Sequence, residues 1–296
     1  MPLISSLGLM NALGFGLPSA KKVNIAVGHN ITPFISAYPW SAGFGSKYAN
    51  PATLPTGNGN GVAFNPTGTA IAVGHISSPY ISAYPWSAGF DTKYANPSTL
   101  PTGSGYGVDF NPAGTAIAVG HISSPYISAY PWSFGFGTKY ANPATLPAGT
   151  GAGVAFNPTG TAIAVAHSTT PFISTYPWSA GFGTKYANPA VLPTVAGISV
   201  SFNPAGTAIA VGHNITPFIS AYPWSAGFGT KYANPATLPT GNGNGVAFNP
   251  TGTAIAVAHS ITPFISTYPW STGFGTKYAN PSTLPTGSGN GVSFSI

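Results

Sequence analysis

Apolar and small residues alternate along most of this chain in short runs that break at Gly, Pro and Asn. In the stretch Gly61–Pro97 the runs are VAF, AIAVGH, YISAYPW and TKYANP. Each is short, rich in β-branched or aromatic residues, and interleaved with small ones, which is the pattern of half-buried strands. Asn65-Pro66-Thr67-Gly68 reads as a tight turn, because Pro presets φ and Gly tolerates φ > 0. Pro79 precedes the third run and Pro85 lies inside it. A proline cannot donate to a ladder, so Pro85 should mark a bulge or a strand end. The Gly-rich GNGN at 57–60 joins one set of runs to the next. No helical period occurs in this part of the chain.

The runs recur. The six histidines (His29, His75, His121, His167, His213, His259) and the six tryptophans (Trp40, Trp86, Trp132, Trp178, Trp224, Trp270) both step by 46 residues. A fixed period of this size means a solenoid, an array or a propeller. The repeat starts part-way through a unit, at VNIAVGH, and the chain finishes with GVSFSI, a copy of GVAF without its sequel. Each of the four runs is thereby represented six times. This predicts an all-β, six-bladed β-propeller with four antiparallel strands per blade, spanning residues 21–296. The C-terminal strand, through Val292 and Phe294, is expected to pair into the first blade and close the ring. Closure would cover the end faces that an open array leaves exposed.

Residues 1–20 lie outside the repeat. They are apolar but interrupted by Gly8, Gly14, Gly16 and Pro18, too short and broken for a bilayer span. No basic region precedes the apolar part, as a secretion signal would require. Leu3, Leu7, Met10 and Leu13 fall at helical spacing. The expectation is an anchoring leader that packs on its own repeats or docks on a partner.

Charged residues make up only 3% of the chain against 43% hydrophobic, far below the roughly 25% charged of ordinary globular proteins. The net charge of +6 comes from one lysine per repeat plus Lys21 and Lys22, less Asp91 and Asp109. Such spaced lysines do not make the clustered basic, aromatic-laced groove of a nucleic-acid binder. No cysteine is present, so disulfides and thiolate metal sites are excluded. Equivalent histidines should sit on sheets about 10 Å apart, too far to share a metal whose ligands lie at roughly 2 Å. They read as structural residues at strand ends. Two unrepeated carboxylates, Asp91 and Asp109, leave general acid–base catalysis and hard-metal binding without the acids they need. No enzyme, metal or cofactor is expected. The repeated Trp and Tyr residues read as core packing rather than as exposed stacking platforms.

The run V-x-F-N-P-x-G-T-x-I-A-V resembles the two inner strands of a WD-repeat blade over residues 22–296. Pro-Trp stands where that family has Trp-Asp, and Gly-His ends the second strand instead of preceding the first, so the family's Asp–His network cannot form. Near-identical blades carrying ISAYPW and TKYANPATLP are also similar to the recently amplified propellers of bacteriophage structural proteins. This second resemblance implies a virion structural, decoration or tail-appendage protein at the phage particle surface or tail. It would be held to other virion proteins through residues 1–20, with an adhesive loop face for a host-surface glycan or protein. A multivalent lectin and a cytoplasmic interaction scaffold are the alternatives. The copies differ most in two loops placed at one end of the sheets, which marks Asn30, Asn58, Asn60, Ser104, Tyr106, Asn214, Asn242 and Asn244 as the candidate binding face. Drift after duplication explains the same variation.

Overall fold

The computed structural model describes residues 23–40 and 44–294. The leader, with Leu3, Leu7, Met10 and Leu13, lies outside the described residues. All regular structure described is β. A two-stranded sheet holds β1 (Val23–Gly28) and β2 (Ile35–Trp40). Five three-stranded antiparallel sheets follow, with strands in chain order. They are β3 (Gly59–Phe64), β4 (Ala70–His75) and β5 (Ile81–Pro85); β6 (Gly105–Phe110), β7 (Ala116–His121) and β8 (Ile127–Pro131); β9 (Gly151–Phe156), β10 (Ala162–His167) and β11 (Ile173–Pro177); β12 (Gly197–Phe202), β13 (Ala208–His213) and β14 (Ile219–Pro223); β15 (Gly243–Phe248), β16 (Ala254–His259) and β17 (Ile265–Pro269).

Local chemistry explains the strand ends. Asn65 accepts backbone N–H groups of Thr69 and Ala70 on its side-chain oxygen at 2.8 and 2.9 Å, and Gly68 takes φ 69°. Thus the Asn-Pro-Thr-Gly turn closes as its sequence implies, and the same bonds recur at Asn111, Asn157, Asn203 and Asn249. Pro85 is the last residue of β5, where its missing donor costs no ladder bond.

Two expectations are corrected. The unit has three strands, not four. Lys93–Pro97 lies beside β5, but its one backbone bond there is Tyr94 N–H to Ala83 C=O, 2.9 Å. Pro97 cannot donate, and the segment instead delivers Tyr94 to the next unit, edge-on to Trp132 at 5.2 Å. Second, the sheets do not form a closed ring. The innermost strands lie side by side in succession, from β3 through β6, β9 and β12 to β15, with β1 against β3. Residues 289–294 form no strand, and β1 pairs with β2 alone among the described strands. Val292 and Phe294 are half-buried and do not close the first unit. Equal counts of each run fix how many strands exist, but not the angle between successive sheets, and that angle decides closure.

The core lies between units. Ala70, Ala72, Ile81 and Ala83 on one face meet Val108, Phe110, Ile117, Val119, Tyr130 and Trp132 of the next unit. Small residues on one side and large ones on the other allow close packing. Trp86 sits at the rim of such an interface, edge-on to Tyr48, Phe64 and Phe90 with centroids 5.0–5.2 Å apart. The aromatic repeat is therefore packing material, as its regularity suggested.

In β3, β6, β9 and β15 a G-x-G serves two neighbours, while β12 carries Gly197 and Ser199 there. A Cβ on Gly105 would lie 2.2 Å from Tyr80 C=O in the preceding unit, and one on Gly107 would lie 2.8 Å from Ala152 C=O in the following unit. Only glycine permits both approaches.

A candidate binding face built on clamped loops

β3 runs toward the Asn65 turn and β4 returns, so the loop 76–80 lies at the end where β3 begins. The connector entering β3 lies there too. Thr56 Oγ1 donates to Ser78 C=O at 2.6 Å, and Ile76 N–H donates to Asn58 C=O at 3.2 Å. The two variable loops therefore do form one face, repeated along the array.

Each loop is clamped by its histidine. His121 is fully buried at the end of β7. Its backbone N–H donates to Tyr126 C=O at 3.0 Å. Its Nδ1 lies 2.8 Å from Ser123 C=O and its Nε2 lies 3.0 Å from Ser128 Oγ. A carbonyl can only accept, so Nδ1 carries the proton and Nε2 accepts from the serine hydroxyl. His213 and His259 make the same pair of bonds. Burial pushes His75, His121, His167 and His213 down to about 4, opposed by the backbone bonds. The ring is neutral at ordinary pH. The aromatic residue closing each loop (Phe34, Tyr80, Tyr126, Phe172, Phe218, Phe264) takes φ near 70°, a conformation that a side chain adopts only when its surroundings impose it. Among the described residues no three His, Cys, Asp or Glu side chains gather to hold a metal.

The eight residues marked from the sequence separate into three sets. Asn30 and Asn214 are exposed at the loop tips. Asn60 and Asn244 spend their amides on Gly105 and Gly289 C=O of the next innermost strand, at 2.9 and 3.0 Å. Ser104 Oγ donates to Ile76 C=O at 2.8 Å. These three hold units together. Asn58, Asn242 and Tyr106 are half-buried, and Tyr106 occupies in β6 the place of Asn60 in β3. What the polar reading missed is apolar: Ile31, Ile76, Ile122, Ile215 and Ile261 stand on these loops 40–72% exposed. An isoleucine one or two places after the repeated histidine, outside the strand alternation, was the available signal.

Asp109 is the one carboxylate drawn into the body. It projects from β6 toward β9 and accepts Phe156 N–H at 2.8 Å. Desolvation raises it from 3.8 to about 7, against the pull of that bond. The six described lysines stay apart, each on the asparagine three residues later, as in Lys47–Asn50 and Lys231–Asn234.

No family model matches the chain, and no curated protein matches it. Solved structures do. A Bacteroides uniformis protein provisionally assigned as a 6-phosphogluconolactonase aligns with TM-score 0.62 and 13% identity, over 88% of this chain and 82% of that one. A functionally unknown protein of Desulfotomaculum acetoxidans aligns with TM-score 0.62 and 12% identity, over 90% and 84%. At such identity the likeness is one of fold alone. No described helix is long and apolar enough to cross a membrane.

Proposed function

We propose that this protein is a non-catalytic structural module that presents one repeated, rigid loop face to a partner surface, in the manner of a phage virion appendage anchored by its first 20 residues. The supporting observation is the set of five exposed isoleucines on loops each closed by the histidine backbone N–H on the aromatic residue's carbonyl, with a His–Ser bond behind it. Rigid loops lose little entropy on binding, and several linked weak contacts can exceed one contact by about 10²–10⁴ in avidity. The WD-like inner-strand pattern and the near-identity of the units support the appendage reading. A lectin is less favoured, since the tryptophans that could stack on sugars are 3–6% exposed in the units from Trp86 to Trp270.

The test changes Ile31, Ile76, Ile122, Ile215 and Ile261 together to Ser and compares binding to host cells and to purified particles. Folding should be unaltered and binding should drop at least tenfold. Unchanged binding to both would end the proposal. The lactonase neighbour supplies the competing enzyme reading, in which Asp109 would be the acid or base. Turnover of 6-phosphogluconolactone that is lost in Asp109→Asn would establish it.

A further inference from the structure

The two ends of the array are complementary. Among the described residues, β1 is the second strand of a unit with no innermost strand: Val27 is 46% exposed, whereas Val73, Val119, Val165, Val211 and Val257 in the same place are 0% exposed. At the other end, residues 289–294 repeat the innermost-strand sequence GNGVAF as GNGVSF. That segment already makes the bonds an innermost strand makes to the unit before it. Gly289 N–H donates to His259 C=O at 3.0 Å, as Gly59 N–H does to His29 C=O. Asn244 holds Gly289 C=O as Asn60 holds Gly105 C=O, and Ser288 Oγ holds Ser260 C=O as Ser104 holds Ile76 C=O. A Cβ on Gly245 would lie 2.7 Å from Gly291 Cα, so the inter-unit approach is complete as well. What it lacks is the following strand of its own unit.

We propose that this strand is β1 of a second copy of the chain. Within one copy the innermost strands advance from β3 to β15, and among the described strands β1 pairs with β2 alone. A second copy continues the array through an interface that the chain already uses five times. The register follows from β3 on β4, where Gly59 faces His75, Val62 faces Val73 and Phe64 faces Ile71. By equivalence Gly289 faces His29, Val292 faces Val27 and Phe294 faces Ile25 of the next copy. The contact is head-to-tail, so it builds a ring of copies or a filament, by addition of a strand to an open sheet edge.

The chain contains no cysteine, which makes cross-linking clean. Val27→Cys and Val292→Cys chains are prepared separately, mixed, and treated with a short bis-maleimide. Directly opposed Cβ atoms in antiparallel strands lie about 4.5–5.5 Å apart, within reach. A covalent pair should form only in the mixture, with yield rising with concentration, and a chain carrying both changes should give a ladder of multimers. No pair in the mixture, or a double variant that is linked only within itself as a monomer, would overturn the proposal. Sedimentation of the unaltered chain covers failure of the variants to fold: species at multiples of the chain mass are expected, and a monomer at every concentration refutes it.

Discussion

Asp109 stands where other units have an alanine or serine (Ala63, Ala155, Ser201, Ala247), and it should weaken the protein in a pH-dependent way. The folded chain holds its carboxyl near 7, while the unfolded chain releases the proton near 3.8. Between those values the folded state binds a proton that the unfolded state does not, so this group's contribution to stability falls as pH rises through that window. At about 1.36 kcal/mol per pH unit the ceiling is roughly 4 kcal/mol. The partial exposure of Asp109 lowers the expectation to about 1–3 kcal/mol. Asp109→Asn keeps an oxygen for Phe156 N–H and cannot ionise. Urea unfolding of both proteins at several pH values isolates the effect, because every other titrating group cancels in the difference. The variant should match the parent at pH 4 and exceed it progressively up to pH 8. A variant less stable than the parent at pH 8, or a difference flat with pH, would refute the reasoning.

Gly153→Ala places a Cβ 2.9 Å from Ser199 Cα and 3.0 Å from Ile198 C=O, so it should cost at least 1–3 kcal/mol by urea unfolding; Gly287→Ala, with open space around it, should cost under about 0.5 kcal/mol. Tyr84 donates its hydroxyl to Thr53 C=O at 2.9 Å, whereas the buried Tyr222 hydroxyl finds no protein partner. Thermal melts should therefore show Tyr84→Phe losing about 0.5–1.5 kcal/mol and Tyr222→Phe neutral or stabilised. Replacing Trp178, packed edge-on by Tyr140, Phe156 and Phe182, with Ala should remove about 3–5 kcal/mol in the same assay.

The strand pattern was readable where one residue type has one physical use. Asn-Pro-Thr-Gly can only turn, Pro85 can only mark a bulge or a strand end, and AIAVGH is buried along its whole length as a central strand is. TKYANP misled because a segment that threads one tyrosine between sheets has the same aromatic-and-small texture as a strand. Its Pro97, with Pro101 just beyond it, was the contrary signal. Closure was not readable, since GVSFSI matches an innermost strand whichever copy of the chain supplies the next one. That the two variable loops lie together at one end of the sheets was legible from the strand order. The chemistry of that face was misjudged, because Asn60, Asn244 and Ser104 look like free donors in the sequence and are occupied by neighbouring carbonyls in the fold.

The histidines decide whether the loop face is a rigid platform or a site of chemistry. Nitrogen-15 NMR of the imidazoles across pH reads both tautomer and titration. If the loops are clamped as described, His75, His121, His167 and His213 are neutral and titrate near 4, with the proton of His121 and His213 on Nδ1. Stability is then lost as pH falls from about 6.5 toward 4, because only the unfolded chain takes up protons in that range. Titration near 6.5 with mixed tautomers would contradict the account and reopen a catalytic or ligand-binding role for these rings.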